Sequence, residues 1–120
     1  KELYEALISR ALYFLKSAEQ DMKNKRYDIC LFHVEQAIQL AVKAFLLKTR
    51  GDFPKTHDLF ELFKLTKNNC LERLSEEKWF MLDILIDAYL GSRYFSRTYR
   101  EKEALEALKF ANEVFKCMNI

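Results

Sequence analysis

Apolar side chains recur along this chain at steps of three and four, with few polar interruptions. Over residues 2–23, Leu7, Ala11, Phe14, Leu15, Ala18 and Met22 share one side of a helix, with Lys, Glu and Asp opposite. Asn24-Lys25-Arg26 is a polar break. The longest periodic run, 27–49, holds Ile29, Val34, Ala37, Ile38, Leu40, Ala41, Ala44, Phe45 and Leu47. These cover roughly 200° of a helical wheel, wider than a surface stripe, and predict a central helix touching several others. Glu35, Gln39 and Lys43, spaced by four, are expected to mark its narrow solvated side. His33 falls inside the apolar arc and reads as a hydrogen-bonded core histidine.

Arg50-Gly51-Asp52-Phe53-Pro54 ends that helix, because Gly supplies a left-handed cap and Pro forbids continuation. Thr56 then reads as an N-cap, with Asp58 in the first turn. Leu59, Phe60, Leu62, Phe63 and Leu65 form a short apolar helix ending near Lys67-Asn68-Asn69, and Cys70 to Leu74 add one loose turn. Ser75 is placed as the next cap, followed by Glu76 and Glu77. From Trp79 to Leu90 nearly every residue is apolar except Asp83 and Asp87. Such a helix is deeply buried or shared with a second subunit, and in so short a chain a homodimer is expected. Thr98 with Glu101 reads as a capping box opening the last helix, whose inward stripe is Ala104, Leu108, Ala111, Phe115 and Met118. The prediction is all-α: an antiparallel up-and-down bundle of four long helices plus one short helix, one domain over residues 1–120.

Two glycines and one proline in 120 residues agree with few, long helices. A charged share of 32% beside 50% hydrophobic residues describes a soluble, folded chain. Net charge is +2, too little for bulk attraction to nucleic acid, so any such role must come from local clustering. No apolar run approaches membrane-spanning length, and Lys1-Glu2-Leu3-Tyr4-Glu5 is no signal peptide; a cytoplasmic protein without a membrane partner is expected. Cys30, Cys70 and Cys117 are odd in number, far apart and without CxxC, and read as reduced thiols.

Glycine-rich phosphate loops, metal-spaced Cys/His sets and nucleophile elbows are all missing from the sequence. Two histidines exclude a histidine-rich metal centre, so no metal, cofactor or catalytic residue is assigned. Asp83 and Asp87 read as a solvated stripe. His57 is expected to pack beneath the loop and hydrogen-bond a backbone carbonyl, with ligand contact as the alternative.

The chemistry concentrates after Leu90. No acid occurs between Asp87 and Glu101, while Arg93, Arg97 and Arg100 alternate with Tyr94, Phe95 and Tyr99. Arg93 follows Ile86 by seven and Tyr89 by four, which puts it on an apolar helical face, where a guanidinium needs a partner. That partner is either a carboxylate of the fold or a phosphate, which Arg grips bidentately, with the tyrosines as stacking surfaces for bases. Both readings stay open. Arg93, Tyr94, Arg97, Tyr99 and Arg100, with His57, are the candidate nucleotide- or phosphate-binding residues.

Phe32-His33-Val34-Glu35-Gln36-Ala37, Val42-Lys43-Ala44-Phe45-Leu46-Leu47 and Pro54-Lys55-Thr56-His57-Asp58-Leu59 resemble, in order, the first half of a HEPN domain. Ser92-Arg93-Tyr94 and the Glu101–Phe115 helix resemble its second half. The resemblance implies a small, usually dimeric helical bundle, often paired with a minimal nucleotidyltransferase in a toxin–antitoxin system. Catalytic members are metal-independent ribonucleases with an Arg followed four to six residues later by a His. Here Arg93 matches that arginine, but no histidine follows it and Tyr99 stands in the region. A phenol titrating near pH ~10 is a poor general base at neutral pH.

The expected function is therefore a non-catalytic nucleotide- or RNA-binding module partnering a nucleotidyltransferase. The alternatives are a ribonuclease using Arg93 with Tyr99 or His57 as proton carrier, and a structural dimerisation adaptor. Modification of Tyr94 or Tyr99 by a partner transferase is a further expectation from the resemblance.

Overall fold

Helix boundaries follow from where the chain can cap itself. In the computed structural model, which describes residues 1–91 and 97–120, the elements are α1 (Glu2–Lys23), α2 (Tyr27–Arg50), α3 (Leu59–Leu65), α4 (Asn69–Glu77), α5 (Trp79–Gly91) and α6 (Glu101–Cys117). No strand occurs among the described residues. The all-α bundle expected from periodicity is present, with one more separate helix than expected, since Asn69–Glu77 forms a helix of its own rather than a loose turn.

α1 turns back into α2 within three residues. Lys25 adopts φ 58 and the Arg26 N–H donates to the Asp21 carbonyl at 2.9 Å. α2 ends where Gly51, at φ 89, donates its N–H to the Leu47 carbonyl at 2.9 Å. A Cβ there would meet nothing within 4 Å, so the backbone angle, not space, requires glycine.

Two expected caps move by two residues, and the third, Ser75, is not a cap. Asp58, not Thr56, caps α3 by accepting from the Phe60 N–H at 3.0 Å; the Thr56 hydroxyl accepts from the Asp58 N–H and so braces the cap. Asn68 caps α4, and Ser75 lies inside that helix, donating back to the Glu72 carbonyl. α6 opens at Arg100, whose N–H donates to the Glu103 carboxylate at 2.9 Å, so the box forms two residues later than Thr98–Glu101.

α2 is central, packed against α1, α3, α5 and α6. Leu31, Val34, Ile38 and Leu46 are fully buried on it, as are Ala11 and Ala18 of α1. The Phe63 and Phe110 rings stack at 6.4 Å, joining α3 to α6. α2 also has the length and mean hydropathy (1.4) of a membrane span, contrary to the sequence expectation, but 67% of that window is buried against the rest of the fold.

Two expectations are overturned outright. Glu35, Gln39 and Lys43 are buried rather than solvated, with exposures of 0%, 5% and 7%. The loop before α3 covers that face, with His57 on Gln39 and Phe53 beneath Lys43, and periodicity cannot announce a loop. Cys70 and Cys117 form a disulfide across 47 residues rather than remaining thiols, joining the first turn of α4 to the last of α6. Cys30 alone stays free; burial, then the charge of Asp21, pushes its thiol up to about 12.

Candidate functional site

The basic segment before α6 divides into spent and unspent charge. Arg97 lies 4.5 Å over the Tyr99 ring and pairs with Asp87 at 3.7 Å and Glu103 at 3.8 Å. Tyr99 is buried (7% exposed), so it is not the open stacking face expected of it; burial, with Asp87 and Glu103, raises its phenol against the pull of Arg97. Arg93 and Tyr94 lie outside the described residues. Arg100 and Lys102 are exposed and enter no ion pair among the described residues.

These free cations border a cleft of about 390 Å³ between α5 and α6. Phe80, Met81 and Ile84 of α5 form its apolar wall, and Arg100, Lys102 and Glu106 stand on the α6 side. Phe80 is 48% exposed, its ring edge-on to Trp79 at 6.3 Å. Apolar wall and free cations together suit a ligand with a flat apolar part and a negative one. Phe80, Lys102 and Glu106 were not singled out by sequence. Their only signal was position: Phe80 on the outer arc of an apolar helix, and two charges on the outer side of α6.

His57 belongs to a second cluster. Its Nδ1 lies 2.7 Å from Gln39 Oε1, a side-chain partner in place of the backbone carbonyl expected. Lys43 Nζ donates to the same Oε1 at 3.1 Å, and Gln39 Nε2 donates to Glu35 Oε2 at 2.8 Å. An ammonium only donates, so the amide orientation is fixed: Oε1 faces Lys43 and His57. His57 Nδ1 must then carry a proton, which leaves the Nε2 lone pair of the neutral ring unused by this cluster. The ring is exposed and packs 5.5 Å from Tyr89, which stacks on Phe32.

Behind it, burial pushes the Glu35 carboxyl up to about 7, against hydrogen bonds from Gln36 and Gln39 and the charge of Lys43. Burial likewise lowers Lys43, against Glu35. His33 instead clasps α2 to α1 through Asp21 at 2.6 Å, a structural contact. No group of three or more His, Cys, Asp or Glu among the described residues could hold a metal ion.

Such a bundle, with a basic cleft beside its last long helix, is of the class of small all-α helical-bundle domains. More particularly, the chain belongs to the HEPN domain family, whose model matches residues 4–120. No curated protein and no solved structure matches it.

Proposed function

We propose that this protein is a non-catalytic nucleotide- or RNA-binding module that works as the dimeric partner of a minimal nucleotidyltransferase. The observation that carries the binding reading is the α5–α6 cleft, where Arg100 and Lys102 are exposed, enter no ion pair among the described residues and share the lining with the Phe80 ring. A phosphate fills the vacancy left by missing carboxylate partners, and a base covers apolar surface. Support for dimerisation comes from α5, where exposed Trp79 and Leu90 flank half-buried Ile86 on one outer stripe broken only by Asp83. The transferase and its toxin–antitoxin setting rest on family membership alone; co-purification with a co-expressed partner transferase tests them. Retardation of labelled single-stranded RNA tests the binding reading directly: affinity should drop about tenfold in an Arg100→Ala/Lys102→Ala variant. Equal retardation of parent and variant would remove the cleft as the site.

One observation favours a ribonuclease as the second reading. Gln39 holds the exposed His57 ring through Nδ1 at 2.7 Å and leaves Nε2 outside that cluster, whereas Tyr99 is buried under Arg97. Metal-free RNA cleavage lost in His57→Ala but kept in Tyr99→Phe would establish it, and intact RNA after prolonged incubation would dismiss it.

A further inference from the structure

We infer that the α5–α6 cleft selects guanine nucleotides, with Glu106 reading the base. The inference rests on the nucleotide-binding reading and adds the base to it. Lys78, just before α5, reaches Glu113 at 2.9 Å, while Asp87, late in α5, reaches Arg97 before α6 begins at 3.7 Å. The two helices therefore run antiparallel, and Phe80, at the start of α5, lies level with the middle turns of α6.

This register gives the cleft two unlike ends, Phe80 with Glu106 at one and, at the other, Arg97 and Arg100 with Glu103, whose charge is taken up by Arg97. Arg100 and Glu106 are six residues apart, about 9 Å along the axis at a rise of ~1.5 Å per residue. A nucleoside monophosphate bridges that span. Its phosphate belongs with Arg100 and Lys102, since Glu106 repels it, and the base then lies on the Phe80 ring.

The base edge meets Glu106 there, and chemistry narrows the choice. Glu103 is occupied by the Arg100 N–H and by Arg97, whereas Glu106 has only Lys109 at 3.8 Å and no hydrogen bond among the described residues. A carboxylate presents two acceptors and no donor. Guanine offers two parallel donors, N1–H and the N2 amino group, which match both oxygens. Adenine and cytosine present an amino group beside a ring acceptor, and uracil one N–H between two carbonyls, so each sets an acceptor against the carboxylate.

Calorimetric titration of the whole chain with GMP, IMP, AMP and UMP tests this. GMP should bind about tenfold more tightly than AMP or UMP, a bidentate contact discriminating by about that much. IMP, lacking the N2 amino group, should fall between. Glu106→Gln should remove the GMP preference while leaving UMP within about twofold, and Arg100→Ala should weaken all four alike. Four equal affinities that fall together in Arg100→Ala would overturn the guanine assignment and leave nucleotide binding standing. A GMP preference that survives Glu106→Gln would also overturn it. No binding of any nucleotide by a chain with an unaltered helical melt would remove both readings.

Discussion

Gln39 anchors three groups that have no other neutral meeting point: the Glu35 carboxylate, the Lys43 ammonium and the His57 ring. Sequence placed Glu35, Gln39 and Lys43 on one helical line correctly but assigned that line to water, because an i, i+4 polar row looks the same under a loop as under solvent. The raised Glu35 sets a pH signature. Its unfolded carboxyl titrates at 4.5 and its folded one at about 7, so the folded state holds the proton more tightly. Its contribution is full below 4.5 and is lost as pH rises through 7, on the order of 3 kcal/mol for a fully buried side chain. Glu35→Gln should therefore gain stability relative to the parent between pH 5 and 8 in urea denaturation; parallel curves would refute the shift. Gln39→Leu should cost about 2 kcal/mol by leaving Glu35 and Lys43 buried and unbridged. It should also change the nitrogen NMR shifts of His57 as the tautomer is released.

At the scale of elements, the long helices were legible because each needs only its own periodicity, and α1, α2 and α6 fall where their apolar stripes ran. Caps were less so. Choosing between Thr56 and Asp58, or Thr98 and Arg100, depends on the backbone angle of a single residue, which side-chain chemistry leaves open. Two substitutions separate these contributions. Asp58→Ala should cost about 1 kcal/mol by freeing the Phe60 N–H at the start of α3. Gly51→Ala should cost about 1 kcal/mol although there is room for the methyl group, because the left-handed backbone resists a Cβ. Thermal or chemical melts of each variant check both values, and an unchanged Gly51→Ala would mean that the α2 end rearranges freely.

For the molecule as a whole, the fold class and the family were readable from the order of apolar runs and from the Pro54–Leu59 segment. Pairwise facts between distant residues were not. Cys70 and Cys117 meet only because α4 lies against the end of α6, and nothing near either cysteine signals the other. The cleft escaped for the same reason, since Phe80 and Glu106 become neighbours only when α5 and α6 pair. Reduction, or Cys70→Ser with Cys117→Ser, should lower stability by up to about 4 kcal/mol for a closed loop of this size. Denaturation with and without reductant measures it, and coincident curves would show that the bridge contributes nothing.

That bridge also decides how the molecule bears load. A pull on both chain ends passes through the Cys70–Cys117 bond and bypasses the 47-residue separation between them, about 160 Å of extensible chain. Phe80, Arg100, Lys102 and Glu106 all sit on the bypassed ring. In a single-molecule stretching trace the oxidised protein would release only the segment up to α4, and the cleft would be shielded from tension that unravels α1 and α2.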